Sequence, residues 1–198
     1  MKTINVLMII AVIAVVVAFA NLIFQFGDFR ELTGYATGNA TDTGTANLTI
    51  ASQASLEFIT NVINWGSGAV DEAPTSATID SEGTVTDGNW TAVSQGLTLR
   101  NDGNTNVTVY LTSSLASAFI GGTGPTYKLK VTNNESNSCV ANNMSSYTST
   151  TGGQVLACSN FGFIDAADAI DVDVQLVIPE DAVPGAKSAV ITATGTPI

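Results

Sequence analysis

The densest group of chemically active side chains is a run of four aspartates, Asp165, Asp168, Asp171 and Asp173. Carboxylate oxygens are hard ligands that suit Ca²⁺, so a calcium site is one interpretation of this run. The spacing differs from that of an EF-hand loop, and Asp171 and Asp173 alternate on the solvent face of a predicted strand. We therefore favour the other interpretation, a solvated acidic strand that resists pairing with other chains, and we predict no metal or other cofactor.

Histidine is absent from the chain. This removes the commonest general base and the commonest metal ligand, so the chain alone can form neither a Ser-His nor a Cys-His dyad. The chain has 6 Lys+Arg against 17 Asp+Glu, which gives a net charge of -11. Phosphate binding needs clustered cations, so nucleic acid is not an expected partner. We therefore predict that the protein is not an enzyme and does not bind nucleic acid.

The two cysteines, Cys139 and Cys158, both lie in the polar part of the chain. An even cysteine count in an exported chain indicates a disulfide. A bond between them closes a loop of about 20 residues, which is worth about 3 kcal/mol in the chain-entropy model. The alternative is a pair of buried free thiols.

Asn-x-Ser/Thr triplets, the acceptor sequons for N-linked glycans, occur six times in the chain. They begin at Asn39, Asn47, Asn89, Asn106, Asn134 and Asn143. They mark candidate glycan sites on an exported surface, although a chain rich in Asn, Thr and Ser also forms such triplets by chance. We expect some of them to carry glycan where the source organism glycosylates its exported proteins.

The first part of the chain is almost wholly apolar, and no charged residue occurs between Lys2 and Asp28. A run of about 20 apolar residues is what a helix needs to cross the hydrocarbon core of a bilayer. We predict a hydrophobic helix over residues 1–33, a flexible linker rich in Gly, Thr and Asn over residues 34–47, and a folded domain over residues 48–198.

Read at heptad spacing, this apolar run has a face of small residues that continues into polar amides. We call this face the packing seam, and it comprises Ala11, Ala14, Ala18, Asn21 and Gln25. Small residues let helices approach closely, and Asn and Gln can form hydrogen bonds across an interface. Alanine is common in any apolar run, but an isolated anchor has no need of such a face. We favour packing between helices over a solitary span.

Beyond residue 48 the sequence alternates between apolar and polar residues over short stretches that turn residues separate. We predict strands over residues 48–58, 96–100, 106–111, 127–131, 170–178 and 187–194. The Asp-Gly turn within residues 101–105 predicts a hairpin between the second and third of these. Together they predict an Ig-like antiparallel β-sandwich behind the N-terminal helix. The predicted core comprises Leu97, Leu99, Val107, Val109, Leu129, Val131, Val172, Val174, Leu176, Val190 and Trp65.

Two stretches, residues 97–109 and residues 178–192, resemble Ig-like sandwich modules of archaeal exported surface proteins. The Asn-x-Gly-Asn turn at residues 101–104 is also similar to an element in subunits of TasA-type and archaeal bundling-pilus filaments. The apolar helix followed by a β domain resembles archaeal type IV pilins and archaellins. That resemblance implies that N-terminal helices form the core of a filament and that β domains form its surface. The chain departs from the pattern in having only Met1 and Lys2 before the apolar run, with no clear class III cleavage motif.

The apolar run admits three interpretations. It is a signal peptide cleaved after the triplet at residues 18–20, a signal anchor oriented by Lys2, or the packing element of a filament subunit. We choose the third and predict a structural subunit of an extracellular, archaeal-type filament. Its partners are other copies of itself, with the membrane holding it before assembly. The alternative is a membrane-anchored Ig-like module of the cell surface that binds a ligand or a neighbouring cell.

Overall fold

The computed structural model describes residues 8, 10–21 and 44–198. The chain divides into two units, residues 1–49 and residues 50–198. In the first unit, residues 8 and 10–21 are helical and are called α1, and residues 44–49 have no regular secondary structure. The rest of the helix predicted over residues 1–33, including Gln25, and most of the predicted linker, including Asn39, lie outside the described residues. No helix among the described residues is both long enough and apolar enough to cross a membrane.

The second unit is mainly β, as predicted. Within residues 50–198 the strands are β1 (Leu56–Thr60), β2 (Ser76–Asp80), β3 (Val85–Thr86), β4 (Leu97–Asn101), β5 (Val107–Thr112), β6 (Thr126–Asn133), β7 (Thr148–Ser149), β8 (Gln154–Phe161), β9 (Ala169–Pro179) and β10 (Thr192–Pro197). A single helical turn, α2 (Ala116–Phe119), follows β5.

Two antiparallel sheets are built from these strands. The larger sheet is arranged around β9, which pairs with β6 along one edge and with β4 and β2 along the other. In the outer positions β1 pairs with β4, β3 with β2, and β7 with β6. The smaller sheet has the order β10-β5-β8. The predicted arrangement of antiparallel sheets is therefore confirmed.

The core is formed by the alternating inward residues of both sheets. In β5, for example, Val107, Val109 and Leu111 are buried, and the threonines and tyrosine between them are partly exposed. All the predicted core residues of β4, β5, β6 and β9 are buried. Trp65 is partly buried and packs against this core.

Val190 is the exception, because 77% of it is exposed. Its neighbours Ala189 and Ile191 pack against the core instead. A shift of one residue moves every side chain of an extended segment to the opposite face, which explains why the prediction chose the wrong residue. The last strand also begins later than the predicted residue 187, at Thr192.

The predicted hairpin between β4 and β5 is wrong. Both strands are present, but β4 belongs to the larger sheet and β5 to the smaller one, so residues 102–106 cross from one sheet to the other. The buried amide of Asn101 holds this crossing, because its Nδ2 donates to the carbonyl oxygens of Thr105 and Gly162 and its Oδ1 accepts from Gly103. An Asp-Gly turn allows a hairpin, but these side-chain hydrogen bonds favour the crossing.

The first strand is shorter than predicted. It begins at Leu56 instead of residue 48, and Leu48 and Ile50 are 85% and 77% exposed. The side chain of Asn104 takes the place of a strand partner here, because its Oδ1 accepts from Gln53 N–H at 2.6 Å and its Nδ2 donates to Ala51 O at 2.9 Å. An alternating pattern without a neighbouring backbone ladder does not form a strand.

Candidate functional sites

The first candidate site is the surface of α1. Its large apolar side chains are between 53% and 68% exposed, and Ala11, Ala14, Ala18 and Asn21 of the packing seam are exposed as well. The helix therefore presents an apolar surface that nothing within the described part of its own unit covers.

Five of these residues line a shallow apolar depression on α1, namely Met8, Ala11, Val12, Val15 and Val16. The first four stand at positions i, i+3, i+4 and i+7, which is the spacing of the four residues that receive one side chain in knobs-into-holes packing. We call Met8, Ala11, Val12 and Val15 the Ala11 socket. It lies on the flank of the packing seam and shares Ala11 with it, so the helix offers two adjoining contact faces.

The second candidate site is a disulfide-held segment at the edge of the smaller sheet. Cys139 and Cys158 are bonded, as predicted, and both are buried. Residues 138–143, which we call the strap, run antiparallel beside β8: Val140 N–H donates to Asn160 O at 3.1 Å and Ser159 N–H donates to Ala141 O at 2.9 Å. The strap therefore occupies the edge of β8 that would otherwise be open to another strand.

The strap also contacts the larger sheet. Asn142 Nδ2 donates to the carbonyl oxygen of Val131 in β6 at 2.7 Å, and Val131 N–H donates to Met144 O at the same distance. Met144 itself is buried in the core. The disulfide thus fixes a connection that joins the two sheets along one side of the sandwich.

A third candidate site is a polar cluster on the outer face of the larger sheet, formed by Lys130, Asp173, Glu82, Tyr147 and Ser81. Lys130 and Asp173 face each other in the ladder between β6 and β9, with Nζ 3.8 Å from Asp173 Oδ2. Nζ also forms an ion pair with Glu82 and lies 4.9 Å from the centre of the Tyr147 ring. The Tyr147 hydroxyl donates to Glu82 Oε2 at 2.9 Å.

The ionisation of the polar cluster follows from these contacts. Burial raises the pKa of Asp173, although the Ser81 hydroxyl, which donates to its Oδ1 at 2.9 Å, opposes the shift. The hydrogen bond from Lys130 lowers the pKa of Glu82. Burial, together with the bond to the Glu82 carboxylate, raises the pKa of the Tyr147 hydroxyl. Each charged group already faces a partner, so the cluster is arranged as a structural tie between strands and loops.

Two of the four aspartates of the sequence run, Asp171 and Asp173, have separate partners. Asp171 accepts from Thr98 Oγ1 at 2.8 Å and from Asn134 Nδ2 at 2.9 Å, and Asp173 belongs to the polar cluster. Among the described residues, no three His, Cys, Asp or Glu side chains are placed to hold a metal ion. The predicted solvent-facing position of Asp173 is wrong, since it is only 6% exposed. Its partner Ser81 lies in the turn after β2, far away in sequence.

The described sequons differ in their surroundings. Asn47, Asn89, Asn134 and Asn143 are exposed, whereas Asn106 is partly buried directly before β5.

Comparison with known proteins identifies no relative of this chain. No family model matches the chain, no curated protein is significantly similar to it, and no solved structure matches its fold.

The sequence predicted the disulfide, which is confirmed, but neither the polar cluster nor the strap. The packing seam stays a prediction. Lys130 was placed in a strand, yet the register that puts it opposite Asp173 depends on tertiary pairing. The alternation of Lys128 and Lys130 with buried residues of β6 was the one available signal of an outward-facing charge.

Proposed function

We propose that the protein is a non-enzymatic structural subunit of an extracellular, pilus-like filament of archaeal type. Copies of the N-terminal helix pack together in the filament core, and the Ig-like β-sandwich faces outward. The membrane holds the subunit before assembly. The observation that carries the proposal is the Ala11 socket, an apolar depression of knobs-into-holes spacing on an exposed helix.

Two adjoining contact faces on one helix favour assembly with more than one neighbour. A helix that packs in a simple pair needs a single seam, whereas the packing seam and the Ala11 socket together cover a wider arc. The alanines of the seam permit close approach of the backbones. Asn21, at the end of the described helix, can add a hydrogen bond between helices.

The β domain has properties that suit the outer surface of such an assembly. The chain carries a net charge of -11, which keeps a solvated surface apart from other proteins. The strap covers the open edge of β8, so that edge does not recruit stray strands. The polar cluster and the disulfide tie loops to sheets and stabilise the domain against local opening.

The test is assembly of the full-length chain on removal of detergent, followed by negative-stain imaging and sedimentation. Ala14→Leu and Ala18→Leu enlarge residues of the packing seam and should abolish filaments through steric clash. Ala20→Leu makes the identical change two positions from Ala18, nearly opposite on the helix, and should leave filaments intact.

Each outcome decides between the proposals. Filaments formed equally well by Ala14→Leu and Ala18→Leu would refute packing through the seam. A wild-type chain that stays monodisperse in detergent and reinserts singly into vesicles would replace the filament with a membrane-anchored surface module. Loss of filaments in Ala20→Leu alone would place the contact on the opposite face and would also overturn the proposal.

A further inference from the structure

Two of the sequons have the same chemical form but different structural surroundings. Each consists of an Asn, an apolar residue and a Thr, namely Asn89-Trp90-Thr91 and Asn106-Val107-Thr108. The sequence motif alone therefore gives no reason to prefer one of them as a glycan acceptor. The structure places the first in an exposed loop and the second at the start of β5.

The side chain of Asn89 is held in an orientation that leaves its nitrogen accessible. Ala69 N–H donates to Asn89 Oδ1 at 2.7 Å, which fixes the amide, and within residues 44–198 no hydrogen bond engages Nδ2. Asn89 and Thr91 are both exposed. The nitrogen that would receive a glycan and the hydroxyl two residues later therefore both face solvent.

Trp90 anchors the middle of this sequon. Its indole packs so closely against two glycines that a Cβ on Gly68 would lie 2.5 Å from the ring, and a Cβ on Gly88 would lie 2.6 Å from it. Only glycine fits at such close approach. Because the central residue is held inward, the Asn and Thr that flank it are turned outward.

The Asn106 sequon is engaged at all three positions. Val107 is fully buried, Thr108 Oγ1 donates to Ser159 O at 3.0 Å, and Asn106 Nδ2 donates to Asn160 Oδ1 at 2.8 Å. Asn106 stands directly before β5, the middle strand of the smaller sheet, and its Nδ2 is bonded to Asn160 of β8. An enzyme therefore engages this nitrogen and the buried Val107 only after this part of the sheet has opened.

Charge also distinguishes Asn89. Asp87 stands two residues before it, and no other sequon of the chain has a carboxylate at that position. Asp87 is exposed, so it offers an ion-pair partner to a cationic group of an enzyme that binds the loop.

We propose that Asn89 is an N-glycosylation site of the folded protein and that Asn106 is not. The co-substrate is a lipid-diphosphate-linked oligosaccharide. Asn89 Nδ2 forms a bond to C1 of the first sugar, the bond from C1 to the phosphate oxygen breaks, the lipid diphosphate leaves, and the amide proton passes to a base of the transferase. The proposal does not depend on filament assembly, since the loop is exposed in a single chain.

The experiment incubates the folded full-length chain, in detergent with its disulfide intact, with a purified oligosaccharyltransferase and its lipid-linked donor. Glycopeptide mass spectrometry then gives the initial rate at each asparagine. Synthetic peptides of residues 85–93 and 102–110 calibrate how the enzyme treats the two sequons without structure. Relative to its peptide, Asn106 in the folded chain should react about a hundredfold more slowly, because only rare opening exposes β5.

Asn89 should react in the folded chain at a rate close to that of its peptide. Thr91→Ala, which removes the acceptor triplet and leaves the contact of Asn89 with Ala69, should abolish this modification. An unmodified Asn89 in a folded chain whose 85–93 peptide is modified would overturn the proposal. The proposal is also overturned if the folded chain slows modification of Asn89 and of Asn106 by the same factor relative to their peptides, or if it slows neither.

Discussion

Removal of the disulfide should destabilise the β domain mainly through the loss of the cross-link, with a smaller loss of packing at each cysteine. Cys139 and Cys158 are 19 residues apart, and closing such a loop lowers the entropy of the unfolded chain by an amount worth about 3 kcal/mol. Each buried sulfur that is replaced by a hydrogen leaves a small cavity, which costs about 1 kcal/mol as the loss of a methyl group does.

These two contributions predict that the first cysteine substitution lowers the free energy of unfolding more than the second one does. Cys139→Ala removes the cross-link and one sulfur, so the free energy of unfolding should fall by about 4 kcal/mol. Adding Cys158→Ala removes only the second sulfur and should lower it by about 1 kcal/mol more. A total loss of about 5 kcal/mol is comparable with the whole stability of a marginal domain, so the double variant should unfold at low urea concentration.

The measurement is urea unfolding of the full-length chain in non-ionic detergent, followed by the fluorescence of Trp65 and Trp90. Hydrogen exchange gives a local readout, because Val140 and Asn143 donate backbone hydrogen bonds from the strap to β8. Their amides should lose protection first in the double variant. Two equal losses of about 1 kcal/mol from the first and second substitutions would refute the account, since they would mean that the sulfurs contribute only by packing.

Two further predictions concern the polar cluster and the Trp90 loop. Because burial raises the folded pKa of Asp173, the folded chain binds more protons than the unfolded chain between the ordinary and the raised pKa. The contribution of Asp173 to the free energy of unfolding should therefore fall as pH rises through that window, so Asp173→Asn should gain stability relative to wild type over the same window. A pH-independent difference between the two chains in urea unfolding would contradict this. Gly88→Ala places a Cβ 2.6 Å from Trp90 and 2.9 Å from buried Ala77, so it should cost about 1–3 kcal/mol. Gly153→Ala, with its nearest atom 3.7 Å away, is the control and should change stability by less than about 0.5 kcal/mol; equal losses in the two variants would refute the close packing.

Six strands of the domain, β1, β4, β5, β6, β9 and β10, could be predicted at least in part from alternation, whereas β2, β3, β7 and β8 were not predicted. The pairing of the strands could not be predicted. Residues 170–178 alternate so regularly that β9 was evident, and its buried valines were correctly assigned to the core. The crossing after β4 was missed, because a turn sequence does not reveal that Asn101 is buried against Gly162, which is 61 residues away. Local sequence sets which residues are extended, whereas contacts distant in sequence set the partner.

The candidate sites divide in the same way. The cysteine pair could be predicted because the chain has two cysteines, and the structure confirms the bond. The packing seam depends on spacing within one helix and stays a prediction. The polar cluster could not be read, because it joins β6, β9 and two loops through the register between Lys130 and Asp173. The different environments of Asn89 and Asn106 were equally hidden, since their triplets have one form.

The position of β9 in the chain has a consequence for biosynthesis. It joins β2, β4 and β6, which do not pair with one another, and it follows all three in the sequence. Before the ribosome has made residues 169–179, the earlier strands can form only the small pairs β1–β4, β2–β3 and β6–β7 within the larger sheet. Isolated strand pairs are at best marginally stable in water. The larger sheet therefore cannot close until its central strand is complete, which delays folding of the domain until late in synthesis.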